Sequence, residues 1–537
     1  MSALGESVSE VSLVPLMLVL TSLVLLAAKK IGLPYPILLV ACGIVTALVP
    51  GVPRVELNPQ IVFSVLLPPL LYASTVFTST QLLRTTLVSS FLLSILLVLA
   101  TISLVASTMH AFAPNLSWSA AVLIGIIAAV SDTAVFKGAS KTLHISRRLT
   151  DTLSAESLVT LVVVLSVYSI ATNSAITNQF SIPSAAVRIT LMTISGLLLG
   201  AGLGYTFAWL HRHIDDDAIG ITLSLSIPYA ASLTAEAVGA SPVIAIMITG
   251  FIGARLGLRV APASARLQGI AFWQMLVFII SGVIYFLIGL ALPTALEALR
   301  SYSLVTLSLY TLLIVALTIV LRFLVALLTT FIPITDDENI EETSSMSSRF
   351  AEAMVITWSG ARSVVMPAAA LGLPLTTTAG TPFPARDLVV VLACLMSLLS
   401  LICQGLTLTP LIRQLGLAGD DGEKREEHHA RMEAARAGLQ RLHEHQPINS
   451  EVAQMTKQLE KYYEQFLPTE QSQKVNKRAS QALQNFACLR EDTLKAERSS
   501  LYVLRERNAL GDELLARLEH ELDIETIRLR FLANTPP

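Results

Sequence analysis

The feature that most constrains this chain is a succession of apolar runs, each about 20 residues long, recurring from Val11 to about Leu411. A run of that length lets an α-helix cross the hydrocarbon of a bilayer, at a rise of about 1.5 Å per residue through about 30 Å. The backbone finds no water there, so each run must close its hydrogen bonds within itself. By this rule about thirteen spans are expected. They fall near 10–28, 34–50, 60–78, 86–109, 118–137, 152–173, 186–210, 218–237, 240–254, 269–292, 303–331, 350–371 and 387–411. The eighth and ninth are separated only around Gly239.

Composition agrees. Of 537 residues, 53% are hydrophobic and 14% charged, against about 25% charged in a soluble domain. From Gly419 onward the chain turns dense in Glu, Lys, Arg, Gln and His. The expected organisation is a transmembrane domain over 1–418 and a helical tail over 419–537. In the tail, Leu514, Leu515, Leu518 and Leu522 form one apolar stripe, and Val452, Met455, Leu459 and Tyr462 a second. These read as amphipathic helices packing on themselves or on a partner. The first ten residues, MSALGESVSE, carry no basic residue, so the first span reads as retained rather than cleaved.

Lys and Arg set orientation. Lys29, Lys30, Arg84, Lys137, Lys141, Arg147, Arg148, Arg212, Arg255, Arg259 and Arg266 fall in one set of alternate loops, and Arg54, Arg188, Arg300 and Arg386 in the other. The richer set should be cytoplasmic, with the N-terminus outside and the tail inside. The four cysteines, Cys42, Cys394, Cys403 and Cys488, show no metal spacing or disulfide framework. Nucleotide loops and nucleophile elbows are absent too. These features exclude an ATP-driven pump on this chain and point away from an enzyme; neither a cofactor nor a nucleic-acid partner is expected.

Charge at membrane depth costs about 2.5–3.5 kcal/mol per residue on insertion scales, so intramembrane charges face cavities or partners. Asp132, Glu156, Glu236 and Arg362 stand out. Asp132 lies between Ser131 and Thr133, whose hydroxyls can satisfy backbone groups if the helix unwinds there, which is how a transporter exposes carbonyls and helix ends to an ion. The alternative is a solvated end of that helix, since Lys137 follows. Arg362 keeps its charge and needs a carboxylate, with Glu156 the first candidate and Asp132 the second. The pair reads as a structural clamp. Gly360 and Pro367 around Arg362 mark a second irregular helix. Glu236 reads as a residue reaching the interface. The neighbours His428 and His429 read as a solvated helix face, and Pro68 and Pro69 kink the third span or set its start.

Five stretches together resemble the sodium/proton antiporters of the cation:proton antiporter superfamily, the branch that includes the eukaryotic sodium/proton exchangers. They are Leu66 to Ser74 (LLPPLLYAS), Ser131-Asp132-Thr133, Ala155-Glu156-Ser157-Leu158, Trp358 to Arg362 (WSGAR) and Gln404 to Leu408 (QGLTL). The resemblance implies an all-α polytopic membrane fold of two inverted repeats with two unwound helices crossing at mid-membrane, at positions such as Thr133 and Gly360. It implies a homodimer and supports the Glu156–Arg362 clamp. Two positions depart from the pattern. The family's Asn-Asp falls on Thr160 and Leu161, and its Glu after Leu-Leu-Tyr falls on Ala73.

The expected activity is therefore secondary exchange of Na+ or K+ for protons in a bacterial inner membrane. Asp132 is the titrating acid, with Na+ or K+ bound there, and Ser131, Ser157 and Thr160 lend oxygens. Burial can bring a carboxyl group into the range where proton and cation compete. The alternatives are an anion or neutral solute, an uncoupled leak, or a sensor signalling through the tail.

Overall fold

The structure is a computed structural model. It describes residues 24, 30, 35–49, 59–76, 87–113, 116–131, 133–143, 145–177, 182–214, 216–260, 263–299, 302–331, 346–360, 364–378, 380–417, 422–444 and scattered parts of 456–526. Asp132, Arg362 and all of the first expected span but Val24 lie outside these residues, as do Val452, Met455, Leu459 and Tyr462 of the tail.

The described chain is helical. In order it forms α1 (Tyr35–Ala47), α2 (Pro59–Val76), α3 (Leu87–Phe112), α4 (Trp118–Ala129), α5 (Ala134–Leu143), α6 (Arg147–Thr177), α7 (Ile182–His211), α8 (Asp217–Val238), α9 (Pro242–Val260), α10 (Ala263–Ala298), α11 (Leu304–Phe331), α12 (Met346–Trp358), α13 (Val365–Leu371), α14 (Arg386–Gln414) and α15 (Gly422–Glu444). Among the described residues eight helices are long and apolar enough to cross a membrane, and α1, α4 and α9 are shorter apolar helices. One pattern occurs twice: a span, a span broken in two, and a span, as α3, α4/α5, α6 and again as α11, α12/α13, α14.

Local chemistry explains the boundaries. The eighth and ninth expected spans are separate helices. Asp216 starts α8 by accepting from the N–H groups of Ala218 and Ile219, and Gly239 ends it at φ 73°, a left-handed conformation that glycine adopts without penalty. Within α2, Val62–Leu66 form one π-helical turn ahead of Pro68 and Pro69. Pro69 has no N–H to give the carbonyl four residues back, and that Val65 carbonyl accepts instead from the Tyr229 hydroxyl of α8, at 3.1 Å. The prolines thus link α2 to a neighbouring helix.

The helices pack in two groups. One comprises α1, α2 and α7–α10, and the other the two broken spans with α3, α6, α11 and α14. The first is joined by close backbone approach. A Cβ on Gly43 would lie 2.8 Å from the Cα of Gly289, so α1 and α10 cross where neither carries a side chain. The second group holds the buried hydroxyls and the membrane-depth ion pair described below. The groups touch through α6 against α7 and α9, α10 against α14, and the π turn of α2 against α13.

The chain divides into two units, Met1–Glu423 and Lys424–Pro537. In the second, Arg490 pairs with Glu497 and Glu525, Arg498 with Asp523, and Tyr502 with Glu519. Partners that descend as their mates ascend describe an antiparallel helical hairpin. Leu494 and Leu515 are buried in this unit, whereas Leu514 is 49% exposed. Only part of the expected leucine stripe therefore faces inward.

Candidate functional site

The first broken span is built from its two ends. Ser117 caps the start of α4, its hydroxyl accepting from Ala120 N–H at 3.3 Å. After Ala129 the chain turns extended at Val130, with ψ 122°, and regains helix only at Ala134. Between them Ser131 is 9% exposed and Thr133 is 2% exposed, so the segment that brackets Asp132 is buried. The helix is thus interrupted between Ala129 and Ala134, with buried residues on either side of Asp132.

The break meets α6. The hydroxyl oxygens of Thr133 and Ser157 are 3.2 Å apart, and Ser157 also sits 3.0 Å from the carbonyl of Ser154, to which it donates. With the Ser157 proton committed there, Thr133 supplies the proton of the shared bond, and lone pairs on these oxygens stay available. Thr160, three residues further along α6 and on the same face, is 1% exposed. Its Oγ1 has no hydrogen-bond partner among the described residues. A buried hydroxyl without a partner costs about 1–3 kcal/mol unless a ligand or water meets it. Hydroxyl and carbonyl oxygens are what a small hard cation accepts. The C-terminal end of α4 adds carbonyl dipoles of matching sign.

The second broken span is arranged differently. α12 ends at Trp358, Ser359 and Gly360 leave the helix, and α13 begins at Val365. The carbonyl of Ile356, in the last turn of α12, accepts from Arg322 Nε at 3.1 Å and from the Ser359 hydroxyl at 2.9 Å. The same guanidinium places Nη2 2.9 Å from Glu156 Oε1. The carboxylate meets it as an ion pair without the alignment of a hydrogen bond. Side-chain exposures are 10% and 15%. A Cβ on Gly360 would lie 2.6 Å from the guanidinium carbon, so any other residue there would require Arg322 to shift.

The expectation joins Glu156 to Arg362; the guanidinium that the structure places on Glu156 belongs to Arg322, and Arg362 lies outside the described residues. Arg322 was legible in principle, as a lone cation in TIVLRFLVA inside an otherwise apolar run. The other expected positions separate. Thr133 and Ser157 meet at the first break with Thr160 about one turn further along α6, Glu156 and Gly360 meet Arg322 at the second, and Ala73 (3% exposed) and Leu161 (8%) belong to the main apolar cluster. Glu236 is exposed near the end of α8, in line with its interfacial reading.

Comparison with known proteins points the same way. A family model described as sodium/hydrogen exchanger, transmembrane, matches residues 16–414. An uncharacterised Na+/H+ exchanger of Mycobacterium bovis is 27% identical over 500 residues, covering 92% of this chain and 91% of that protein. A sodium, potassium, lithium and rubidium/H+ antiporter of Bacillus pumilus is 28% identical, covering 74% and 61% respectively. Among solved structures, the sodium proton antiporter MjNhaP1 of Methanocaldococcus jannaschii superposes with a TM-score of 0.60 at 18% identity, over 75% of this chain and 98% of that one. At that identity the likeness concerns the fold.

Proposed function

The chain belongs to the sodium/hydrogen exchanger family and exchanges a monovalent cation for protons across a membrane, and from that premise we propose that the exchange occurs at the first helix break. One observation carries this reading. The hydroxyls of Thr133, next to Asp132 in the chain, and Ser157 meet, and the unpartnered oxygen of Thr160 lies about one turn further along the same face of α6.

Each group has a separate task in this reading. Asp132 supplies the charge that either a proton or a cation neutralises, so the two occupants exclude each other at one carboxylate. Ser157 and Thr160, fixed on α6, and Ser131 with the exposed backbone of the break replace part of the cation's water shell. Glu156 has a different partner, since it pairs with Arg322. Leu161 and Ala73 keep the surroundings apolar, which strengthens the electrostatic difference between the occupied forms. With one exchanging acid the cycle moves one charge in each direction. Access alternates as the group carrying both broken spans shifts against the group of α1, α2 and α7–α10. The N-terminus lies outside and the helical tail over 419–537 lies in the cytoplasm of a bacterial cell, with the transmembrane domain over 1–418 working as a homodimer in lipid.

The test is cation-dependent proton flux in proteoliposomes, with Na+ and K+ compared across a pH series. The parent should exchange at least one of them, and Asp132→Asn should not. Exchange at the parental rate in that variant would remove Asp132 from the mechanism.

A further inference from the structure

Half-helix α13 has an unusual burden. It is only seven residues long and all seven are buried, yet its last carbonyls have no following turn to accept from. At membrane depth such groups need partners, and the structure supplies one for each. Ala368 O accepts from Gly372 N at 3.0 Å and Ala370 O from Leu373 N at 3.2 Å. Ala369 O accepts from the Tyr168 hydroxyl at 2.8 Å. Leu371 O accepts from Arg386 Nη2 at 3.3 Å, and Leu373 O, two residues on, from Arg386 Nε at 3.0 Å. One guanidinium thus spans two carbonyls with its fixed fork, which a lysine ammonium cannot reproduce. Its positive charge also complements the helix C-terminus.

Both side chains come from helices that matter to the site. Tyr168 lies on α6, eight residues beyond Thr160 and about 12 Å along the same axis, and is 3% exposed. Arg386 opens α14 directly after Ala385, a non-glycine residue at φ 53°. The intervening loop returns to α6, where Thr378 bonds the carbonyl of Ile176 through its N–H at 3.4 Å and its hydroxyl at 3.0 Å. The end of α13 is therefore tied to the helix that carries Glu156, Ser157 and Thr160.

We propose that Tyr168 and Arg386 are positioning residues of the exchange reaction. They terminate α13, fix it against α6, and so hold the second break opposite the hydroxyls of the first. Neither touches the ion. The inference rests on the exchange reading above and extends it to two residues outside the ion site.

The experiment uses the full chain in proteoliposomes, with Tyr168→Phe, Arg386→Gln and Arg386→Lys. Hydrogen exchange of the amides over residues 365–373 is followed beside the apparent KM and maximal rate for Na+ and K+. Loss of one such bond should accelerate amide exchange and raise the apparent KM about fivefold in Tyr168→Phe and Arg386→Gln, with maximal rate within about twofold. Arg386→Lys should fall between parent and Gln. Unchanged amide exchange in both Tyr168→Phe and Arg386→Gln overturns the proposal. Faster amide exchange with an unmoved KM also overturns it, because the two residues would then be structural only. Should Arg386→Gln fail to fold, Tyr168→Phe, which removes one oxygen, decides the question. A parent that moves neither ion defeats the exchange reading, and the amide measurement then still decides whether these side chains terminate α13.

Discussion

The two broken spans use the same backbone device for opposite purposes. At the first, the hydroxyls of Thr133 and Ser157 meet beside a segment that holds an aspartate, with the unpartnered hydroxyl of Thr160 about one turn along α6. At the second, a guanidinium caps the end of α12, lies against Gly360 and pairs with Glu156. A helix break exposes carbonyls and amides, and its role is set by the groups that satisfy them. Where a permanent cation does so, the break is locked, since Arg does not titrate. At the first, the hydroxyls bond one another and α6 and keep spare lone pairs, which in the proposed reading an ion can use. In the proposed mechanism the pair of breaks is thus divided between a working site and a fixed support.

Substitutions at the two breaks should separate these roles. The largest effect is expected from Asp132→Asn, which should reduce exchange to the background of empty liposomes while leaving the melting temperature near that of the parent. Arg322→Gln should act on stability instead. Removing one partner of a buried ion pair costs about 3–5 kcal/mol, visible as a lowered melting temperature in detergent, and Glu156→Gln in the same chain should recover part of it. If Arg322→Gln were as stable as the parent, the second break would not be a lock. Gly360→Ala should cost about 1–3 kcal/mol by crowding the guanidinium, again seen by thermal unfolding, with a smaller loss of exchange. Thr160→Val keeps the shape and removes the oxygen, so it should raise the apparent KM for the cation about fivefold. Because it also removes an unpartnered buried hydroxyl, it should leave stability equal or slightly higher. The smallest effect is expected in the tail, where Asp492→Asn removes an exposed partner of Lys495. Exposed pairs contribute about 0–1 kcal/mol, and both unfolding and flux should match the parent.

Legibility differed between the elements for physical reasons. The spans announced themselves because hydrocarbon demands long apolar runs, and the breaks because Asp132 with its hydroxyl neighbours, and Gly360 with Pro367, do not suit an unbroken helix in lipid. Ser157 and Thr160 on α6, and Thr133 just ahead of α5, were readable as polar oxygens at membrane depth. The partner of Glu156 was not. Sequence order offered Arg362, in a motif-like stretch, whereas the structure brings Arg322, a lone cation in an otherwise apolar span that nothing in the sequence pairs with Glu156. The tail showed its helical period but not which leucines turn inward, since Leu514 and Leu515 differ by one residue and face opposite environments.

The sequence by itself determined that this is an all-α membrane protein with two interrupted spans and a polar helical tail, because the bilayer imposes those patterns residue by residue through local rules of length, polarity and backbone satisfaction. Only the tertiary structure decided which distant groups meet: Arg322 with Glu156 and Ile356, Thr133 with Ser157, Tyr229 with Val65, Tyr168 and Arg386 with the end of α13. Such contacts depend on how helices rotate and slide against one another, and that is set by packing between surfaces far apart in the chain, for which no local pattern carries the information.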